Sequence, residues 1–308
     1  MKIVFCGTPM FAVASLERLA SGGFHIQLVV TQPDRPQGRG MEQAASPVKQ
    51  AALKLHLAVA QPEKIKKNDA FRQQLTELAP DAIIVVGYGR IISPWMLELP
   101  RYGNVNVHGS LLPKYRGAAP IQWAIALGET VTGVTTMRLD EGLDTGDILL
   151  QKQMEILPED TAVTLAPKLA KLGAELLVET LHGLELEKIV PVTQSDSQAT
   201  LAPILKKEDG LINFNRTATE IHNRLRGFQP WPGAYTRFRE KNLKIIQAKP
   251  SSKTGLKPAE LHVEGEHLYV GCGLATTLQL LQVQPEGKKP MSAREFIIGY
   301  KPGAMDLR

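Results

Sequence analysis

The chain has 308 residues, 43 % hydrophobic and 22 % charged, with a net charge of +5, a composition that describes an ordinary globular protein with room for two cores. Its two cysteines, Cys6 and Cys272, argue against a disulfide framework, and no His/Cys/Asp cluster has ligand spacing, so no metal is expected. No apolar run reaches the roughly 18 residues of a membrane span, and a first strand opens at Lys2 and Ile3, so a cytoplasmic protein with no targeting segment and no membrane partner is expected.

Residues 3–6 read as a buried strand, followed by the turn Gly7-Thr8-Pro9, with Thr8 able to cap the next helix and Pro9 at its first position. A helix over 11–19 and a second buried strand over 26–31 follow. Ser46-Pro47 opens a helix to about residue 57, and Asn68 caps another through residue 78. The run A-I-I-V-V-G at 82–87 is that of a central parallel strand covered on both faces, and Ser93-Pro94 starts a short helix. This alternation predicts an α/β fold with a doubly wound, mostly parallel, Rossmann-like sheet. No G-x-G-x-x-G follows any strand, which argues against a dinucleotide site.

The next stretch, G-N-V-N-V-H-G-S-L-L-P-K-Y-R-G-A-A-P-I-Q-W over 103–123, is where chemistry concentrates. It begins as an alternating strand with Val105 and Val107 on one face and Asn104, Asn106 and His108 on the other. Gly109 breaks the strand, leaving an amide and an imidazole at a carboxyl end, where open α/β sheets place ligands. Polar groups on a buried strand are costly unless paired or used.

Beyond it, a strand is expected over 133–139, then the segment D-E-G-L-D-T-G-D and a strand from Ile148. Leu165, Leu169, Leu172, Leu176 and Leu181 form the apolar stripe of a helix over 164–181. The irregular 190–203 stretch reads as an interdomain connection, which sets domains at 1–189 and 206–308 with a linker at 190–205. A helix near 217–228 and short strands at 234–239, 243–248, 267–270 and 276–284 predict a small, OB-like β-barrel. Residues 206–308 hold 17 Lys and Arg against 10 Asp and Glu, a net +7, so either a polyanionic partner or a merely soluble basic domain is implied.

Asn106 and His108 lie two apart on one strand and point the same way. Asp144, in a glycine-bounded turn between two strands, can reach the same cleft and orient the imidazole, although a turn alone would also explain it. An amide donor, an imidazole and a carboxylate suit acyl transfer to an amine, because they can stabilise an oxyanion and need no nucleophilic side chain. Ser110 is no nucleophile by this reading, since the G-x-S-x-G elbow is missing.

The stretch N-V-N-V-H-G-S-L-L-P-K-Y-R-G-A-A-P-I-Q-W closely resembles the signature of folate-dependent formyltransferases. The similarity extends from F-C-G-T-P near the start to G-K-K-P-M-S-A near the end, through T-Q-P-D-R-P-Q-G-R-G, V-G-Y-G-R, G-L-D-T-G-D-I-L and F-Q-P-W-P-G-A. The resemblance implies 10-formyltetrahydrofolate as formyl donor, with Asn106, His108 and Asp144 as catalytic residues. It assigns folate binding to Ser110, Leu111, Leu112 and Pro113, and to loops at 87–92, with Gly89, Arg90 and Ile91, and at 140–144, with Asp140. Initiator methionyl-tRNA is the implied acceptor, read by a loop over 34–46 with Arg35 and Arg39, and by Lys206 and Lys207. Lysines commonly follow the G-R-G in the family, whereas Met41 and Glu42 follow it here. The protein is expected to act as a monomer. The alternatives are a folate-dependent formyltransferase or hydrolase acting on a small molecule, and a catalytically silent RNA-binding module.

Overall fold

The computed structural model describes residues 1–37 and 42–307. The chain divides into two compact units. The first comprises Met1–Pro120, Val131–Glu155 and Ala166–Ala202, and the second Ile121–Thr130, Ile156–Leu165 and Pro203–Arg308.

In chain order the first two-thirds carry β1 (Lys2–Gly7), α1 (Met10–Ser21), β2 (His25–Val30), β3 (Arg35–Gln37), β4 (Glu42–Ala44), α2 (Pro47–Lys54), β5 (Val59–Ala60), α3 (Asp69–Leu78) and β6 (Ala82–Val86). Then come α4 (Pro94–Leu97), β7 (Asn104–His108), α5 (Pro120–Ala126), β8 (Val131–Arg138), β9 (Ile148–Glu155) and α6 (Ala162–Glu185). The main sheet has seven strands in the order β5-β2-β1-β6-β7-β8-β9. Pairing is parallel from β5 to β7 and antiparallel from β7 to β9. Strands β2 and β6 flank β1, so the order reverses there, and the crevice outside the carboxyl ends of β1 and β6 is the expected ligand side.

The apolar runs explain this sheet. Residues Ile3, Val4, Phe5 and Cys6 are all completely buried, as a strand covered on both faces requires. One face packs Val4, Cys6, Leu28, Val30, Ile83 and Val85 against Phe71 and Leu75 of α3 and Met96 of α4. On β7 and β8 the helix α6 approaches through Gly173, where an added Cβ would sit 2.8 Å from Val107 Cγ1 and 3.2 Å from Val134 Cγ1. Val107 thus takes the helix-covered face, which leaves the polar residues of β7 for the opposite one.

Local caps follow the sequence with one exception. Ser46 and Asn68 accept from the main-chain N–H groups of Lys49 and Phe71, as their positions predict. Pro9 occupies the N-cap position of α1 with no side-chain cap, and the Thr8 hydroxyl instead donates to the Tyr88 carbonyl at 3.1 Å, joining the carboxyl ends of β1 and β6.

The second unit carries α7 (Ala218–Gly227), β10 (Ala234–Phe238), β11 (Lys241–Ser251), β12 (Leu261–Glu264), β13 (His267–Gly271), β14 (Thr277–Pro285), β15 (Met291–Ser292) and α8 (Ala293–Tyr300). Its six strands are antiparallel, in the order β10-β11-β14-β13-β12 with β15 beside β14. The expected barrel is an open sheet among the described residues, because its apolar face is covered by helices: Ile221 and Leu225 of α7 and Phe296 of α8 share the core with Leu243, Leu268 and Val283. Both helices begin with a capping box, Thr217–Glu220 and Ser292–Glu295. Within this unit Trp123 of α5 stands edge-on to Phe228, centroids 5.3 Å apart, with the Arg224 guanidinium over both rings.

Candidate active site

Asn104, Asn106 and His108 share the polar face of β7, but they are used differently. The Asn104 amide donates to the carbonyls of Met96 and Leu97 at 2.9 and 3.1 Å, so it anchors α4. Asn106 is 8 % exposed and its amide has no hydrogen-bond partner among the described residues. A buried amide left open in this way is available to a ligand.

His108 is held at both nitrogens. Nε2 lies 2.9 Å from the Tyr115 carbonyl, which can only accept, so the proton is on Nε2. Nδ1 faces Asp144 Oδ2 at 3.6 Å, within ion-pair reach but longer than a hydrogen bond. Asp144 adopts a left-handed φ of 54°, and the same Oδ2 accepts from Gly117 N at 2.8 Å. Gly117 has φ 120°, and a Cβ there would lie 2.7 Å from the Ala202 carbonyl, so only glycine fits.

The turn that follows β7 is fixed from β8 and β9. Thr135 Oγ1 donates to the Ser110 carbonyl at 2.7 Å and accepts from Leu112 N at 3.1 Å and Gln151 Nε2 at 2.9 Å. Gln151 Nε2 also donates to the Leu112 carbonyl at 2.8 Å, and the Ser110 hydroxyl donates to the Lys114 carbonyl at 2.6 Å. Ser110 is therefore spent on the turn, while Leu111 and Pro113 are half-buried on it.

One more loop borders the carboxyl edge, and another starts beside Asn104, at the amino end of β7. After β6, Gly89 has φ 74°, and Gln32 Nε2 donates to the carbonyls of Tyr88 and Gly89 at 2.9 and 3.3 Å. Burial pushes the Tyr88 phenol up to about 12, so it stays a neutral wall. Arg90 Nη1 donates to the Glu63 carbonyl, and Ile91 is 91 % exposed. After β8, the Asp140 carboxylate takes Gly142 N at 3.0 Å and the Thr145 hydroxyl at 2.8 and 2.9 Å, which closes the turn carrying Asp144.

The structure thus brings His108, Asp144 and the 110–117 turn together, with Asn106 two residues before His108 on the same strand. Among the proposed RNA contacts, Arg35 is exposed in β3, and Lys206 and Lys207 are exposed in the second unit. Arg39 lies outside the described residues. The sequence reading missed Thr135, Gln151 and Gln194, each a single polar residue whose partners are distant in the chain. The one available signal was the adjacent pair Thr135-Thr136 between Val134 and Met137 of β8.

Comparison with known proteins adds the family. A model described as "Formyl transferase" matches residues 1–181, and one described as "Formyl transferase, C-terminal domain" matches 204–301. The chain is 65 % identical to a methionyl-tRNA formyltransferase of Koribacter versatilis over 99 % of its own length and 98 % of that protein. It is 58 % identical to a methionyl-tRNA formyltransferase of Acidobacterium capsulatum, over 97 % of this chain and 96 % of that one. An N-formyltransferase from Helicobacter canadensis, solved with folinic acid and dTDP-3-aminofucose, has the same fold, with TM-score 0.69 and 21 % identity over 92 % of this chain and 99 % of the other.

Proposed function

The chain belongs to the formyl transferase family, and from that membership and the geometry above we propose that it transfers a formyl group from 10-formyltetrahydrofolate to the amino group of initiator methionyl-tRNA. The observation that carries the reading is the open, buried Asn106 amide beside a His108–Asp144 pair at the carboxyl end of β7. The Koribacter and Acidobacterium relatives support the acceptor. The small-molecule alternative draws only on the fold shared with the sugar-related enzyme.

The donor supplies an activated formyl carbon. Attack on it by a neutral amine puts negative charge on the formyl oxygen, and Asn106 Nδ2 donates to that oxygen. His108, placed by Tyr115 O and Asp144, adds positive charge beside that oxygen when protonated. When the intermediate collapses, the bond from the formyl carbon to the donor nitrogen breaks; the attacking nitrogen gives up one proton, whose removal Asp144 assists beside His108 Nδ1, and the departing tetrahydrofolate nitrogen takes one up. No side chain forms a covalent bond in this scheme.

The 110–113 turn, the 89–91 loop with its exposed Ile91, and the turn closed by Asp140 would hold the donor's ring system, with Leu111, Pro113 and Ile91 as an apolar wall. Arg35, Arg39, Lys206 and Lys207 are the proposed RNA contacts. The working division is a catalytic segment over 1–189 and an RNA-binding segment over 206–308, joined through 190–205, acting in the cytoplasm. The test is to incubate the purified protein with labelled 10-formyltetrahydrofolate and, separately, charged initiator tRNA, an amino-sugar nucleotide and glycinamide ribonucleotide. Label on the tRNA alone supports the reading; label on a small amine in preference to tRNA overturns it.

A further inference from the structure

The segment between α6 and α7 does more than connect. Gln194 is 8 % exposed, and its amide is used at both ends. Nε2 donates to the carbonyls of Asp144 and Gly146 at 2.9 and 2.7 Å, while Oε1 accepts from Arg116 Nε at 3.0 Å. Only a neutral side chain with two N–H groups and an acceptor makes this set of bonds. Arg116, 6 % exposed, also donates from Nη1 to Asp196 Oδ1 at 2.8 Å. Its main chain is gripped by the same segment: Arg116 N donates to Thr200 O at 2.8 Å, and Ala202 N donates to Arg116 O at 2.7 Å.

The neighbours of Arg116 are the residues that touch the site. Tyr115 O takes His108 Nε2, and Gly117 N donates to Asp144 Oδ2. Asp144 is therefore held twice, its carboxylate by Gly117 and its carbonyl by Gln194, and Arg116 ties the two holders together. A residue at φ 54° stays there only where its surroundings fix it. An arginine in this signature would ordinarily be assigned to an anionic ligand, yet here its charge is buried in the scaffold.

We propose that Gln194 and Arg116 are positioning residues that set the register of Asp144 against His108. The proposal rests on the reading that this pair carries formyl transfer. Misplacing a catalytic group by about 1 Å can cost about 100-fold in rate.

The experiment compares full-length Gln194→Glu, Gln194→Met and Arg116→Lys with the unmutated protein and with Asp144→Asn, using 10-formyltetrahydrofolate and charged initiator tRNA. Gln194→Glu is nearly isosteric and still faces Arg116, but it sets an oxygen against two carbonyl oxygens. Its kcat per folded molecule is expected to fall about 10- to 100-fold, with both KM values within about twofold and a displaced pH–rate profile. Gln194→Met loses the bonds without the repulsion and falls less. Arg116→Lys keeps the charge but cannot span Gln194 and Asp196 together, so it moves in the same direction. Variants that keep kcat within about twofold, or whose loss disappears when rates are expressed per folded molecule, overturn the proposal. If those variants turn over normally while Asp144→Asn is inactive, this inference alone falls; if Asp144→Asn keeps full kcat, the functional reading falls with it.

Discussion

Thr135→Val removes one hydroxyl from a site where every valence of it is used. The side chain is fully buried, donates to Ser110 O at 2.7 Å, and accepts from Leu112 N at 3.1 Å and Gln151 Nε2 at 2.9 Å. Valine fills nearly the same volume, so the cost is polar rather than steric. Gln151 keeps its bond to Leu112 O at 2.8 Å. Ser110 O and Leu112 N lose the Thr135 hydroxyl inside the protein, and orphaned backbone groups cost about 1–3 kcal/mol each. A net loss of about 3 kcal/mol is therefore expected, which at about 2–4 °C per kcal/mol lowers the thermal midpoint by about 6–12 °C. The measurement is unfolding followed by circular dichroism, with Thr135→Ser as the control that keeps the hydroxyl. The donor KM should rise as well, because the loosened turn is a proposed donor contact. A Thr135→Val midpoint within about 2 °C of the unmutated protein would refute the argument that Thr135 fixes the turn.

The Asp34 carboxyl, just before β3, is held below its ordinary value by hydrogen bonds from Lys49 and then Gln61. A depressed carboxyl contributes stability above its unfolded value of 3.8, and that contribution is lost as pH falls through the lower folded value. The midpoint difference between Asp34→Asn and the unmutated protein should therefore be largest near neutrality and narrow below about pH 4, as a pH series of thermal scans would report. Replacing Lys206 and Lys207 by alanine should weaken binding of charged tRNA and reduce the salt slope by about one per lysine. A double variant with an unchanged slope in a titration over salt would remove both residues from the RNA surface.

The sequence was most readable where periodicity and burial coincide. The runs at 3–6 and 82–87 announce central parallel strands because both faces must be apolar, and β1 and β6 are those strands. Alternation across β7 put Asn104, Asn106 and His108 on one face but could not tell them apart. Asn104 is spent on the carbonyls of α4, whereas Asn106 is open, and that distinction depends on where a separate helix ends. Asp144 came within reach for a similar reason: β8 runs from His108 towards Asn104, and the turn after it, held by Gly117 and Gln194, folds back to set Asp144 Oδ2 3.6 Å from His108 Nδ1. What stayed illegible is contact between distant segments. Gln194 looks like any polar residue in an irregular stretch, and nothing local shows that it meets a turn some fifty residues earlier. The open sheet of the second unit was read as a barrel because short strands carry no sign of closure, and the helix over residues 293–300 that covers its core went unread.

The central claim is that charge developing during formyl transfer is met by Asn106 and His108. Single-turnover formylation of charged initiator tRNA, at saturating donor and acceptor, measures that step apart from binding and product release. Asn106→Ala and His108→Ala are each expected to slow it by about 100-fold or more, with donor affinity within about twofold of the unmutated protein. An unchanged single-turnover rate, with only the concentrations needed for saturation raised, would contradict the account.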